Sequence, residues 1–351
     1  MKNKLLIFAA LAVLVVACKK QPQPQVIEGF AFGTYYRITY ISETPLDGLQ
    51  QQVESMLREV NSVYSLFDEN SAVSKFNRNE PGLWEGRFAD LLNKAIQVSE
   101  KTDGAFDVTA GPLIRQWGFA KDKEGDVSEA AIDSIMQFVG YEKLQWVSCE
   151  GLKKEDPRMQ LDFNAIAKGH AVDQVGKLLL ERGIKDFIVD IGGELLTSGV
   201  KVRGDELVPW RVGIQVPTTT KDGAVESDYT FETGQATNCR MAVATSGNYR
   251  NYHERDGHRY SHIINPKTGR SEESNLLSVT VVYQVPVMDE SGFYCAYVDA
   301  LATAFMVMGR EKAMEYLDHG KGKENLSAYF IYDDNGKYRT EQTANFPTRA
   351  K

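Results

Sequence analysis

The chain has 351 residues, with 40 lysines and arginines against 48 aspartates and glutamates, and its formal net charge is -8. Its hydrophobic content of 42% is that of an ordinary globular protein and excludes collagen-like, coiled-coil and wholly disordered chains. The acidic balance argues against a nucleic-acid partner.

The amino terminus has the pattern of an export signal. Two lysines precede an apolar run, residues 5–17, which is too short to span a bilayer but has the length of a signal-peptide core. A small residue stands directly before Cys18, as in bacterial lipoproteins whose cysteine thiol is lipidated. A secretory peptide followed by an unrelated cysteine is the alternative. We predict a lipoprotein signal peptide over 1–17, lipidation of Cys18 and a polar, proline-containing tether over 18–28.

The four cysteines are far apart, without a C-x-x-C pair or a histidine at zinc-ligand spacing. Neither a disulfide framework nor a structural zinc site is therefore predicted. With Cys18 lipidated, three thiols remain. Because an odd number cannot all pair within the chain, at least one free buried thiol is expected.

Residues 29–346 are predicted to form one domain, since no linker or repeat divides them. The hydrophobic spacing predicts helices over 46–64, 88–102, 130–139, 171–182 and 299–308. Short β-rich runs predict strands over 35–41, 187–191, 210–216, 243–245, 277–283 and 326–332. Because these elements mix without a regular β-α-β rhythm, an α+β fold is favoured over a doubly wound sheet.

Most of the candidate functional residues lie in polar segments that contain glycine. No G-x-G-x-x-G opens a helix and no G-x-x-x-x-G-K-[ST] occurs, so the ordinary dinucleotide and triphosphate cradles are missing from the sequence. Glycine allows close backbone approach to a ligand and exposes amide groups to an anion, so several such loops together could hold a pyrophosphate. The segments are 33–34, 102–112, 162–169, 190–194, 245–249 and 261–269.

Together and in this order, these segments resemble the ApbE family of FAD:protein FMN transferases, from about Gly33 to Gly309. The family pattern has an early Gly-Thr and then G-A-F-D-x-T, I-A-K-G-x-x-x-D, G-G-D/E, T-S-G-x-Y, S-H-I-I-D-P-x-T-G and D-A-x-A-T blocks. The chain departs from it at Asn265, where Asp is usual, and at 163–164, where Leu-Gly is common. The resemblance implies an ApbE-like, T-fold-related arrangement of mixed sheets and helices in one two-lobed catalytic domain.

Asp299 and Thr303 are the candidate metal ligands. They are four residues apart on a predicted helix, so their oxygens lie on one face and could share a hard cation. The alternative is structural, with Asp capping the helix start and Thr bonding back to the helix. The resemblance implies that both bind Mg²⁺ together with the backbone carbonyl of Ala165, which makes Asp299 a catalytic residue as well. Mg²⁺ keeps water or phosphate oxygens among its ligands, which suits a diphosphate substrate.

Three further side chains have a functional and a structural interpretation. Lys168 precedes a predicted helix and could meet an anion there, or it could be a solvated surface lysine. Asp107 could accept a hydrogen bond from a ribose or adenine, or it could cap the turn that follows it. His262 could be a structural histidine, but its place in the family block makes it the leading general acid or base. The resemblance and these arguments predict FAD contacts at Phe32, Gly33, Thr34, Asn77, Ala105, Phe106, Asp107, Lys168, Thr245, Ser246, Gly247, His262 and Ile263.

The resemblance implies Mg²⁺-dependent transfer of FMN from the substrate FAD to a threonine hydroxyl of an acceptor protein, with release of AMP. The expected acceptor is a subunit of the respiratory electron-transfer type. The expected location is the bacterial cell envelope, lipid-anchored at the periplasm-facing inner membrane. Water in place of threonine would make the protein an FAD pyrophosphatase, and a periplasmic protein that only binds FAD is a further alternative.

Overall fold

The computed structural model describes residues 22–82, 84–119, 125–148, 151–204, 206–215, 227–233, 239–248, 252–255, 258–272, 274–286, 289–318 and 325–350. The predicted signal peptide and Cys18 lie outside these residues. Within the described ranges, every helix is too short or too polar to cross a bilayer.

The described part of the chain contains strands and helices in irregular alternation. The strands are β1 Gln23–Ala31, β2 Thr34–Ser42, β3 Leu144–Val147, β4 Gly151–Lys154, β5 Phe187–Ile191, β6 Glu194–Ser198, β7 Lys201–Arg203, β8 Glu206–Val208, β9 Arg211–Gln215, β10 Ser227–Glu232, β11 Arg240–Gly247, β12 Tyr252–Arg255, β13 His258–Ser261, β14 Ile264–Asn265, β15 Arg270–Ser271, β16 Leu276–Val285, β17 Leu326–Asp334 and β18 Lys337–Gln342. The helices are α1 Leu49–Tyr64, α2 Ala72–Asn77, α3 Arg87–Lys101, α4 Gly111–Gln116, α5 Glu129–Met136, α6 Ala167–Glu181, α7 Tyr294–Met308 and α8 Arg310–Asp318, with a 3₁₀ turn at Tyr141–Lys143.

One eight-stranded sheet organises the molecule. Its strand order is β1-β2-β5-β6-β11-β16-β17-β18, and each neighbouring pair is antiparallel. Helices and an antiparallel sheet, without parallel crossover units among these strands, are the α+β arrangement. The predicted fold class is therefore confirmed.

Helices cover one face of this sheet and a hairpin covers part of the other. Helix α7 is apolar almost all round and buried along its length, so it lies between the sheet and the other helices. On the opposite face, the β9–β10 hairpin packs Val212, Ile214 and Phe231 against Val243 and neighbouring strand residues. The sheet is consequently a middle layer, and its strand ends are accessible between the two layers.

Two helices begin earlier than predicted. Helix α7 starts at Tyr294 rather than Asp299, and α6 starts at Ala167 rather than Ala171. The prediction took the polar Asp299 and the glycine at 169 as helix boundaries, because both residue types favour helix ends. In the structure both residues lie inside helices, at the contact between α6 and α7. Gly169 N donates a hydrogen bond to Asp299, and a Cβ atom at 169 would collide with the backbone of α7.

The predicted tether over 18–28 is wrong from Gln23 onward. Strand β1 pairs with β2 along its whole length, and Ile27 is buried in the core. At the other end, Ala350 N donates to Thr230 O at 2.7 Å, so the domain extends past the predicted limit of 346. Strand β1 was not predicted because its sequence lacks alternating apolar residues. It is held by backbone pairing with β2, and only one of its side chains is deeply buried.

The predicted free buried thiol is confirmed at Cys295. Its Sγ donates to Leu195 O at 3.0 Å, and burial raises the pKa of this thiol well above its usual range. Cys239 is a second free thiol and is exposed.

His170 of α6 is buried between two aromatic rings. Its ring lies 5.6 Å from that of Tyr64 and 5.5 Å from that of Phe293, centroid to centroid. Both ring nitrogens lack a hydrogen-bond partner among the described residues. Burial, with a smaller contribution from Arg87, lowers the pKa of His170 to about 4. The native core therefore favours the neutral imidazole.

We expect His170→Phe to remove a pH-dependent part of the stability. Because the native pKa lies below the unfolded value of about 6.5, the contribution of His170 is complete above that pH and is lost as the pH falls toward 4. The free energy of unfolding of wild type minus that of the variant should fall by on the order of 3 kcal/mol between pH 7 and pH 4. Urea unfolding at each pH measures this difference, in which the other titrating groups cancel, and a flat difference would contradict the prediction.

Candidate active site

A cavity of about 720 Å³ opens at the ends of the central strands, between the helical layer and the β9–β10 hairpin. Its walls combine the turn after β5, the end of β11, the loop before α6 and the middle of α7. It brings together most of the predicted residues: Thr34, Ala105, Phe106, Asp107, Ala165, Lys168, Thr245, Ser246, Gly247, His262, Ile263, Asp299 and Thr303.

A second cavity of about 580 Å³ adjoins the first. Asn164 and Lys168 line both, so the two cavities share a wall. Phe32 and Gly33, predicted to bind FAD, line this second cavity together with Phe67. The aromatic and aliphatic side chains around it make its surface more apolar than that of the first.

Asn77 lines neither cavity. Its side-chain amide donates to Leu161 O at 2.9 Å, and its Oδ1 accepts from Leu161 N at 2.7 Å. These bonds give Asn77 a supporting role, and its contact with FAD stays a prediction. Its two hydrogen bonds hold the chain that leads to Asp162 and Ala165 at the cavity wall.

Helices α6 and α7 position the candidate metal ligand. Asp299 lies in the second turn of α7, is almost fully buried, and accepts a hydrogen bond from Gly169 N at 3.0 Å. The start of α7 is capped instead by Asp173 of α6, whose carboxylate oxygens accept from Cys295 N at 2.8 Å and Ala296 N at 2.9 Å. The structural alternative for Asp299, a helix cap, is therefore excluded.

Hydroxyl oxygens complete an oxygen-rich corner of the cavity. Thr303 Oγ1 lies 3.3 Å from Ser246 Oγ at the end of β11. The neighbouring Thr245 Oγ1 lies 2.8 Å from Thr280 Oγ1 on β16, which anchors this end of β11 to the next strand. Asp299, Thr303 and Ser246 thus present one carboxylate and two hydroxyl groups to the same cavity, and Ala165 lines it as well.

An ion pair stands beside these oxygens. The half-buried Lys168 pairs with Glu194, which is 2% exposed, so this lysine has a fixed carboxylate partner at the cavity wall. Burial lowers the pKa of Lys168, but Glu194 and Asp299 raise it and prevail. Burial raises the pKa of Glu194 and of Asp299, and Lys168 opposes both shifts. With all three ionised, two carboxylates face one ammonium, and Glu194 Oε2 has no hydrogen-bond partner among the described residues.

Asp107 caps a turn and lines the cavity at the same time. Its Oδ1 accepts from Thr109 N at 2.8 Å and from Thr109 Oγ1 at 2.7 Å, and its Oδ2 accepts from Tyr141 N at 3.0 Å. The capping interpretation is therefore correct. Burial raises the pKa of this carboxyl, although the three hydrogen bonds oppose the shift.

His262 lies half-buried on the cavity wall, with its ring 6.3 Å from that of Phe119. Two hydrogen bonds fix the segment that carries it. Trp117 Nε1 donates to Gly269 O at 2.9 Å, and Ser271 Oγ donates to Ser261 O at 2.9 Å. The position is suitable for a group that exchanges a proton with a ligand in the cavity.

Several cavity residues were not among the predicted contacts. Asp162, Asp190 and Glu194 belong to glycine-punctuated segments, so the signal was present but did not single them out. Phe67 lies in a polar stretch and gave no signal. Within the described residues no three His, Cys, Asp or Glu side chains cluster for a metal. A metal at Asp299 would therefore take mainly neutral oxygen ligands, as Mg²⁺ commonly does.

Comparison with known proteins gives one consistent family. The model of the ApbE family matches residues 32–330. A Vibrio cholerae protein named FAD:protein FMN transferase is 36% identical over 322 residues, covering 90% of each chain. An Escherichia coli protein of the same name is 32% identical over 355 residues, covering 96% of this chain and 94% of the relative.

Solved structures show the same fold. The flavin transferase ApbE from Vibrio cholerae superimposes with a TM-score of 0.77 at 32% identity, covering 93% of this chain and 98% of the other. The apo form of Pseudomonas stutzeri flavinyl transferase ApbE gives a TM-score of 0.76 at 31% identity, covering 93% and 96%. In sequence and architecture, this chain belongs to the ApbE family.

Proposed function

We propose that the protein transfers FMN from FAD to a threonine hydroxyl of an acceptor protein and releases AMP. The observation that carries this proposal is the corner formed by Asp299, Thr303 and Ser246 beside Lys168, at the point where the predicted loops converge. This corner offers oxygen ligands and a cation to a diphosphate. The relatives named FAD:protein FMN transferase support the same reaction.

The two adjoining cavities match the two halves of FAD. The polar first cavity suits the diphosphate and the adenosine, with Asp107 and its neighbours at one wall. The second cavity, with Phe32 and Phe67 at its surface, suits the flat and largely apolar isoalloxazine ring. Lys168 lines both cavities, so the negatively charged diphosphate of FAD bound in this way would lie close to this ammonium.

The residues present fit a magnesium ion. Asp299, Thr303 and the Ala165 carbonyl would hold it, because they are hard oxygen donors. The buried Glu194 Oε2 nearby has no hydrogen-bond partner among the described residues. When bound, Mg²⁺ would neutralise negative charge on the diphosphate during transfer.

The protein's own groups supply the remaining chemistry. The threonine oxygen forms a bond to the FMN phosphorus, the phosphorus bond to the bridging oxygen breaks, and AMP leaves with that oxygen. His262 takes the hydroxyl proton, and Lys168 stabilises the charge on the diphosphate.

The function is tested with a soluble form that begins after Cys18. It is incubated with FAD and Mg²⁺, with and without the unflavinylated soluble domain of a threonine-bearing respiratory subunit, and AMP, free FMN and protein-bound flavin fluorescence are followed. We expect AMP together with FMN attached to the acceptor. AMP with free FMN in both samples would instead identify an FAD pyrophosphatase, and intact FAD in both would identify a binding protein.

We also propose that Cys18 is lipidated and anchors the domain at the periplasmic side of the inner membrane. The support is the sequence alone, with its charged start, short apolar run and small residue before the cysteine. Cys18→Ser should move the protein from the membrane to the soluble fraction, since it removes the thiol proposed to carry the lipid. Membrane retention of the variant would contradict the assignment.

A further inference from the structure

The β1–β2 hairpin exposes apolar side chains that a soluble domain normally covers. Val26 is 47% exposed, Phe30 64% and Tyr35 79%, and we call these three residues the hairpin face. Phe30 and Tyr35 are cross-strand partners whose rings pack edge-on, 5.4 Å apart. Alternate residues of the same strands, such as Ile27 and Tyr36, are buried on the helical side. The hairpin face therefore points away from the helices.

The hairpin face lies on the side of the sheet against which the β9–β10 hairpin packs. The sheet register runs from Val243 through Leu195, Asp190 and Arg37 to Glu28, so these residues share one side of the sheet. At Val243 that side is covered by the β9–β10 hairpin. Among the described residues, the apolar cluster under the β9–β10 hairpin contains no residue of β1 or β2. On these two strands the same side carries Val26, Phe30 and Tyr35 together with the exposed ion pair between Glu28 and Arg37.

Strand β1 is also an edge that can accept another strand. It is nine residues long, and within the described residues it pairs only with β2. Natural edge strands are commonly protected by lysines, by bulges or by being short. Strand β1 has a proline near its start and one charged residue, Glu28, whose carboxylate pairs with Arg37 of β2, and it has no lysine or arginine. Its long edge, flanked by exposed apolar side chains, suits the addition of an extended peptide.

The hairpin face is continuous with the active site. Tyr35 belongs to the face and also lines the first cavity, as does its neighbour Thr34. A polypeptide lying along β1 toward the hairpin turn would thus arrive at the mouth of the cavity. The proposed reaction requires such an arrival, because the second substrate is a protein whose threonine must reach the diphosphate.

We infer that the hairpin face and the edge of β1 bind the acceptor protein, as an extended threonine-bearing segment added beside β1. The inference rests on the proposed function, since only a transferase needs a protein at this cavity. Main-chain hydrogen bonds to β1 supply affinity without sequence specificity, and Val26 and Phe30 contribute apolar contacts with alternate side chains of the segment.

The test uses Val26→Ser and Phe30→Ser, because neither residue lines a cavity. Tyr338→Ser is the matched control, since Tyr338 is a 48% exposed aromatic residue on the opposite edge strand β18. The acceptor is the unflavinylated soluble domain of the respiratory subunit. We expect Phe30→Ser to raise the KM for this acceptor roughly tenfold, as expected for loss of an aromatic interface contact. The affinity for FAD, measured by flavin fluorescence, should be unchanged, and excess acceptor should restore the rate.

Each outcome decides between the two proposals. If wild type transfers FMN and both hairpin variants behave like Tyr338→Ser, the docking surface is overturned while the function stands. If the variants lose FAD affinity as well, the face acts on the flavin site and the docking surface is again overturned. If wild type transfers no FMN to the acceptor, the proposed function fails and the docking inference fails with it.

Discussion

Asp299→Asn should lower Mg²⁺-dependent release of AMP from FAD by roughly 10³-fold or more, because it removes the only carboxylate among the proposed metal ligands. The substitution preserves the shape of the side chain, and its amide oxygen can still accept from Gly169 N. The helix packing should therefore survive, and so should some binding of FAD in the two cavities. The loss would then be one of charge and metal affinity rather than of fold.

The measurement is AMP release against Mg²⁺ concentration, with FAD binding followed by flavin fluorescence. Asp289→Asn is the matched control, because this carboxylate lies shortly before α7, lines neither cavity and bonds to Tyr283 Oη at 2.9 Å. Asp289→Asn should retain the wild-type Mg²⁺ response. Normal turnover of Asp299→Asn would remove Asp299 from the metal site.

Gly169→Ala should destabilise the protein by about 3 kcal/mol or more and abolish turnover. A Cβ atom at Gly169 would lie 2.3 Å from Cys295 O and 2.7 Å from Ala296 N, which are backbone atoms of α7. Backbone cannot rotate away as a side chain can, so α6 and α7 would have to separate. Separation breaks the bond from Gly169 N to Asp299 and displaces Lys168 from the same corner.

Gly176→Ala on the same helix is the matched control. There a Cβ atom would meet Leu196 Cδ2 at 2.4 Å, the end of a flexible side chain, and the next contacts are at 3.7 Å. Alanine also favours a helix over glycine by up to about 1 kcal/mol, which offsets part of the cost. Urea unfolding of both variants should give a clearly larger loss at 169 than at 176, and equal losses would contradict the proposed backbone contact.

The strands and helices with strong local patterns were predictable. The strand at 187–191 has the predicted limits, and α1 and α3 differ by a few residues, because their apolar spacing is itself the packing surface. Strand β1 was missed because its stability comes from pairing with β2, which composition cannot reveal. The starts of α6 and α7 were missed because a glycine and an aspartate inside helices serve contacts to another helix.

For the candidate site, too, some features were predictable from the sequence and others depended on the tertiary structure. Sequence determined most of the predicted residues that meet in the cavity, since these lie in glycine-punctuated turns or at helical spacing, and both are local properties. Only the tertiary structure decided that Asp173 caps α7, that Glu194 pairs with Lys168, and that the site consists of two adjoining cavities. Asp173 and its partner Cys295 are 122 residues apart in the chain. Contacts at such separation depend on how the helices pack on the sheet, and this packing leaves no periodic pattern in the sequence.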